Sequence, residues 1–350
     1  MKPITVGSFC DLQSVSAPAF SPKGSRFCFV LSHADKKDNT YRSCIYELQG
    51  KKVRQLTAGG REGSFVFEDE NTLLFAGDRE GNKDKGPSLA TRYYRLSLDG
   101  GEAVPAFTFP LPVETLLPLP GGDYIVAAST VPGWEDLYKD NEKRTAAYLK
   151  SVKENEDYEV VEQVPWWWNG STFTRGAYTG LYYYNARKNR AEMLSAPGFA
   201  VSDVQLSPDK KTVWFLGNAV RPLLSTDKGI GLYKMALADR KIEKVFENDD
   251  TLCVQGFVPG DSFLLVLAHR RQHGINTDCD FYKLDYADGS ITLYKEFGQG
   301  IGSSVGTDVR HGGGRSICMD GDVCYFIATI FDGAYLYRLQ DGEITRLTAA

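Results

Sequence analysis

Apolar and polar residues alternate along this chain in runs of about four to eight, each closed by Gly, Pro, Asp, Asn or Ser, the pattern of half-buried β-strands joined by turns. One phrase built this way stands near each end: Ile45-Tyr46-Glu47-Leu48-Gln49-Gly50-Lys51-Lys52-Val53-Arg54-Gln55-Leu56-Thr57 and Leu336-Tyr337-Arg338-Leu339-Gln340-Asp341-Gly342-Glu343-Ile344-Thr345-Arg346-Leu347-Thr348. Each reads as two strands around a polar turn. The core of the phrase recurs as Tyr93-Tyr94-Arg95-Leu96, Leu181-Tyr182-Tyr183-Tyr184, Leu232-Tyr233-Lys234-Met235 and Phe281-Tyr282-Lys283-Leu284, which makes six copies. The tyrosines at 46, 94, 182, 233, 282 and 337 are about fifty residues apart except for one step of 88.

Two more strands precede each copy. In the first unit they are Val15 to Phe20 and Phe27 to Leu31, joined by Ser21-Pro22-Lys23-Gly24 and followed by a polar loop from Ser32 to Arg42. Later units keep the turn and change its spelling, as in Pro120-Gly121-Gly122-Asp123, Ser207-Pro208-Asp209-Lys210 and Asp320-Gly321-Asp322. A four-stranded antiparallel unit repeated at this spacing predicts an all-β chain, a β-propeller of six visible blades in one domain. The units run about 14–57, 63–107, 113–195, 201–247, 251–297 and 315–348. Met1 to Gln13 is short and amphipathic, with Phe9 and Leu12 as anchors of a short helix, and offers no clear strand to complete the last blade. Ring closure is therefore left open.

The long step marks an insertion of about 131–173. Helical spacing appears there over Glu135 to Val152, with Tyr148 and Leu149 turned inward and Lys139, Lys143 and Lys150 solvated. Tyr158 to Pro165 alternates like an edge strand and leads into Trp166-Trp167-Trp168-Asn169-Gly170. Successive side chains on a strand face opposite ways, so the three tryptophans cannot share one core. Packing is the commoner fate for them, and a substrate-facing role the alternative.

Composition narrows the function classes. A formal charge of −5 and an isoelectric point near 5.6, with no run of Lys and Arg, give no pull toward nucleic acid or an anionic membrane. Neither partner is expected. Seven scattered cysteines without a C-x-x-C pair read as small hydrophobes. No apolar stretch approaches the ~18 residues of a membrane span or forms a signal-peptide core. A cytoplasmic setting is the expectation.

Candidate chemistry is sparse. Gly302-Ser303-Ser304-Val305-Gly306 fits the G-x-S-x-G string of a nucleophile elbow, but that device needs a strand before it and a helix after it. Here Gly-rich sequence lies on both sides, so Ser304 reads as part of an inter-blade loop. His269 and His273 have i,i+4 spacing but leave a strand for a loop, and with His33 and His311 they read as solvated loop residues; no metal or other cofactor is expected. Asn169-Gly170-Ser171 reads as a turn beside the tryptophans. Asp308 and Arg310 occupy a long loop before the last unit, where an Arg can grip a carboxylate or another domain, an inter-blade ion pair being the commoner fate.

The run Ser14 to Val30, with Tyr41-Arg42-Ser43-Cys44-Ile45-Tyr46 and Arg54-Gln55-Leu56-Thr57, resembles the N-terminal propeller of prolyl-oligopeptidase-family (S9) serine peptidases. Val164 to Gly170 and Gly302 to Arg310 are similar to features of the acylaminoacyl-peptidase-like branch. The resemblance implies a non-catalytic propeller that gates and filters peptide substrates for a C-terminal α/β-hydrolase domain carrying a Ser-Asp-His triad. Its propellers usually have seven blades, against six here, and the hydrolase would follow beyond Ala350. The expected chain is thus a propeller without catalytic residues of its own, with Trp166, Trp167, Trp168, Asn169, Asp308 and Arg310 facing substrate or interface. Its oligomeric state is left open. The alternatives are a stand-alone propeller that binds a protein or peptide and, more weakly, a propeller enzyme acting on sugars or lactones.

Overall fold

The computed structural model describes residues 3, 5–77, 89–161, 166–168, 172–219, 229–304, 314–331 and 333–349. Among them the fold is a β-propeller of six blades, each a four-stranded antiparallel sheet. The first blade holds β1 (Gln13–Phe20), β2 (Phe27–Asp35), β3 (Thr40–Gln49) and β4 (Lys52–Gln55), and the second β5 (Val66–Phe67), β6 (Thr72–Ala76), β7 (Thr91–Ser97) and β8 (Val104–Phe109). Blade three pairs β9 (Val113–Pro118) and β10 (Asp123–Thr130) with β13 (Tyr178–Asn185) and β14 (Arg190–Met193). The insertion between β10 and β13 holds the helix α1 (Glu142–Glu154) and a separate ribbon of β11 (Trp167–Trp168) and β12 (Thr172–Phe173). Blade four is β15 (Phe199–Leu206), β16 (Thr212–Ala219), β17 (Gly231–Ala236) and β18 (Ile242–Glu247). Blade five is β19 (Cys253–Pro259), β20 (Phe263–His269), β21 (Asp280–Asp285) and β22 (Ile291–Lys295). Blade six closes the series with β23 (Ile317–Asp320), β24 (Val323–Ile330), β25 (Gly333–Gln340) and β26 (Glu343–Arg346).

The chain divides into two compact units, Met1–Pro112 with Gly306–Arg315, and Val113–Val305 with Ser316–Ala350. The first holds blades one and two, the second blades three to six. Within each unit the cores lie between neighbouring blades. Blade five illustrates this: Leu264 and Val266 of β20 pack with Trp214, Leu216 and Leu232 of blade four, while Phe263 and Leu265 pack with Phe326 and Tyr337 of blade six. Alternate side chains thus serve different cores, and the central strands must be apolar on both faces. That is why Phe263-Leu264-Leu265-Val266 is a continuous apolar run.

Register explains the recurrent tyrosine. In every blade it sits on the third strand opposite an aromatic or β-branched residue of the second: Phe29 for Tyr46, Phe75 for Tyr94, Val126 for Tyr182, Phe215 for Tyr233, Val266 for Tyr282 and Phe326 for Tyr337. Such cross-strand pairs stabilise a sheet by about 0.2–1 kcal/mol each. The Leu-Thr ending has its own task. The hydroxyls of Thr57, Ser195 and Thr348 accept the N–H of the residue before the tyrosine, Ile45, Leu181 and Leu336, at 3.0 Å. A side chain thereby replaces the ladder where the fourth strand leaves the sheet.

Antiparallel order puts two tight turns at one end of each blade, and the second-to-third connection and the link to the next blade at the other. The turn ends are stitched to neighbouring blades by polar contacts. Glu70, in the second blade's first turn, accepts from Ser21 Oγ at 2.6 Å, Lys23 N at 2.8 Å, and both the N–H and the hydroxyl of Ser25. Fully buried Glu47 takes Arg26 at 2.9 Å and Arg54 at 2.6 Å, and Arg26 reaches on to Asp99 of the next blade. Asp322 accepts from Ser262 N of blade five at 2.9 Å, while within blade five the Tyr286 hydroxyl donates to the Gly260 carbonyl at 2.9 Å. Arg240 lies over the Tyr183 ring at 3.5 Å and pairs with Glu192 at 2.9 Å.

Three expectations change. The loop after β2 is shorter than Ser32 to Arg42, because His33, Ala34 and Asp35 pair with Arg42, Tyr41 and Thr40, and Arg42 bonds Asp35 at 2.6 Å. The N-terminal helix is a single 3-10 stretch, Val6–Asp11, and Leu12 is exposed rather than an anchor, with only six residues to fold inward. Tyr158 to Val161 forms no strand, since no strand among the described residues pairs with it, and 162–165 lie outside the described residues. No helix among the described residues is long and apolar enough to cross a membrane.

Candidate functional site

The insertion builds a site from three pieces. A 3-10 turn over Glu135–Lys139 buries Leu137 and ends at Asp140, whose φ of 55° is left-handed. Asn141 then caps α1 by accepting the Arg144 N–H at 3.1 Å, and Glu142 and Lys153 complement the helix dipole at its two ends. Arg144 fastens the helix: its guanidinium covers the Trp134 ring at 4.0 Å and bonds Asp136 at 2.9 Å and the Gly133 carbonyl at 2.7 Å. Tyr148 meets Trp134 edge-on at 5.3 Å. As expected, Tyr148 and Leu149 are half-buried and Lys139, Lys143 and Lys150 exposed.

After α1 the chain runs without regular structure through Tyr158 to Val161, and Tyr158 donates its hydroxyl to Asn155 Oδ1 at 2.8 Å. The ribbon follows. Trp167 stands opposite Phe173 and Trp168 opposite Thr172, and the Thr174 N–H returns to the Trp166 carbonyl at 3.0 Å. Phe173 receives Trp166 stacked at 5.9 Å and Trp167 edge-on at 5.0 Å. Arg175, at a left-handed φ of 51°, turns back to Glu159, its Nε donating to Oε1 at 2.9 Å and its Nη2 to the same oxygen. Between α1, the 158–161 segment and the ribbon lies a cavity of about 530 Å³ lined by Val152, Tyr158, Glu159, Val160, Val161, Trp166, Phe173 and Arg175, among others.

Of the residues singled out from sequence, Trp166 lines this cavity, and Trp167 is half-exposed beside it. Trp168 pairs in the ribbon. Asn169, Asp308 and Arg310 lie outside the described residues, so no common site is drawn from the six. Tyr158, Glu159, Val160, Phe173 and Arg175 were not anticipated. The alternation of 158–161 was legible, but nothing in it marked Glu159 as the partner of an Arg 16 residues away.

Ser304 is exposed and donates its N–H to Thr329 Oγ1 at 2.8 Å, after single bridges from Ile301 and Gly302 to Ala328 rather than a strand. His269 is not a solvated loop residue: it ends β20, is buried, and accepts the Arg271 N–H on Nδ1 at 3.1 Å. His273 is exposed, and among the described residues no three His, Cys, Asp or Glu groups converge as a metal site. Burial pushes the thiols of Cys28, Cys279 and Cys324 up to about 12, which keeps them protonated and poor nucleophiles at neutral pH.

The acylaminoacyl peptidase of Pyrococcus horikoshii superposes with a TM-score of 0.68 over 98% of this chain and 47% of its own, at 12% identity. The likeness is one of fold. The β-propeller domain of the Trilobed protease from Pyrococcus furiosus, described as having an open velcro topology, matches with a TM-score of 0.58 over 98% of this chain and 85% of its own, at 13% identity. In sequence, 223 residues are 28% identical to an uncharacterized peptidase, YuxL, of Bacillus subtilis (strain 168), covering 62% of this chain and 31% of that protein. The match spans about a third of that relative, and the chain about half of the Pyrococcus horikoshii enzyme. No protein-family model matches.

Proposed function

We propose that this chain is the non-catalytic propeller of an S9-type serine peptidase and filters peptides for an α/β-hydrolase domain. The observation that carries the reading is the fold likeness, which runs over 98% of this chain and takes up 47% of an acylaminoacyl peptidase. The 28% identity to a peptidase points the same way. The chemistry of the chain fits a filter better than a catalyst. Ser304 has no strand leading into it, and the buried thiols are held protonated.

The test uses the complete product of the native gene. It is assayed with acyl-aminoacyl and prolyl reporter peptides and labelled with a fluorophosphonate serine reagent, and the labelled residue is mapped by mass spectrometry. The expected result is turnover blocked by the reagent, with the label on a serine outside these 350 residues. A label on Ser304 or any other serine of this chain, or no labelling and no turnover, overturns the reading.

A further inference from the structure

We propose that the blade-three insertion is a peptide-capture site: an internal apolar segment of an extended polypeptide seats a large side chain against Trp166 and Phe173 and its main-chain amides on the Arg175–Glu159 pair. The site lies within the insertion and does not depend on a hydrolase being attached.

Three observations converge. The cavity of about 530 Å³ falls within the roughly 300–1,000 Å³ of ligand sites, which are characteristically apolar with a few placed polar groups. Its wall keeps large apolar side chains in water: Val160 is 67% exposed, Tyr158 59% and Trp166 47%. Removing such surface from water is favourable, and grouped apolar exposure is a feature of binding surfaces. Trp166 is presented stacked on Phe173 and needs no rearrangement to offer its other face.

The polar part selects the ligand. Nε and Nη2 of Arg175 both go to one oxygen of Glu159, so Arg175 Nη1 and Glu159 Oε2 have no hydrogen-bond partner among the described residues. One is a donor and the other an acceptor, which matches the C=O and N–H of a peptide unit. The pair is neutral as a whole and favours neither a terminal carboxylate nor an ammonium. An internal segment is therefore the occupant, not a chain end. Arg175 holds a left-handed φ, and both it and Glu159 line the cavity.

The 350-residue chain itself is titrated with acetyl-Ala-Phe-Ala-amide, acetyl-Ala-Ala-Ala-amide and the free acid acetyl-Ala-Phe-Ala, followed by tryptophan fluorescence and calorimetry. The Phe amide is expected to saturate at least roughly tenfold more tightly than the Ala peptide, a difference of ~1.4 kcal/mol. Trp166→Ala and Val160→Asp, both at exposed positions, each weaken it roughly tenfold with Tm unchanged. Glu159→Gln leaves the Arg175 charge uncompensated and turns the preference toward the free acid. Absence of saturation, equal binding of the Ala peptide, or wild-type affinity in both Trp166→Ala and Val160→Asp overturns the proposal. Binding is read without turnover, so failure of the peptidase reading and failure of this one are separate results.

Discussion

The two ends of each blade are built on different principles. At the turn end, connections such as Ser21 to Arg26 or Ser207 to Lys211 are short, and charged side chains reach across to the neighbouring blade, as Glu70, Arg26 and Asp322 do. At the other end, connections vary from the four residues 36–39 to the insertion between β10 and β13, and the seal is made inside the blade by the hydroxyls of Thr57, Ser195 and Thr348. The difference teaches where this fold tolerates change. A blade sealed within itself at one end can accept a long excursion there without loosening its neighbours, and loops held on such scaffolds are where binding concentrates.

The comparison predicts its own breaking points. Glu47→Ala has the largest effect, because it leaves Arg26 and Arg54 facing each other without the buried carboxylate; a loss of about 3 kcal/mol is expected in denaturant unfolding. A loss no larger than that of an exposed surface substitution would show that the turn end is not stitched by charge. The next effect is in pH. Hydrogen bonds from Ser21, then Ser25, hold the Glu70 carboxyl at about 2 rather than the ordinary 4.5. Its contribution is therefore complete above about pH 4.5 and disappears as pH falls toward about 2. Thermal melts should show the gap between wild type and Glu70→Gln narrowing over that window, and a gap independent of pH would contradict the assignment. Smallest is Thr57→Val, which leaves the Ile45 N–H without its acceptor for a cost of about 1 kcal/mol. Amide exchange should quicken at Ile45 while Glu70 contacts at the opposite end of the blade stay protected.

Much of the fold was legible because its determinants are local. The six tyrosines, the turn spellings and the Leu-Thr endings each act within one blade, so their spacing reported strand pairs before any contact was known. The boundaries that moved did so for pairing reasons: His33 to Asp35 read as loop but find partners in Thr40 to Arg42, while Tyr158 to Val161 read as strand and find none. The site was legible only at Trp166 and Trp167, where three adjacent tryptophans demanded explanation. Asn169, Asp308 and Arg310 rested on loop position alone, and they lie outside the described residues.

By itself the sequence determined the blades, since alternation with period two and turn-forming residues act over a few neighbours and repeat with little interference. Burial of the central strands on both faces came instead from the packing of neighbouring blades on either side. Only the tertiary structure decided which residues meet across the insertion. Arg175 reaches Glu159 because a helix capped by Asn141, an irregular segment and a left-handed turn at Arg175 bring the chain back on itself. Each of those steps is a backbone direction, and side-chain pattern encodes such directions only weakly.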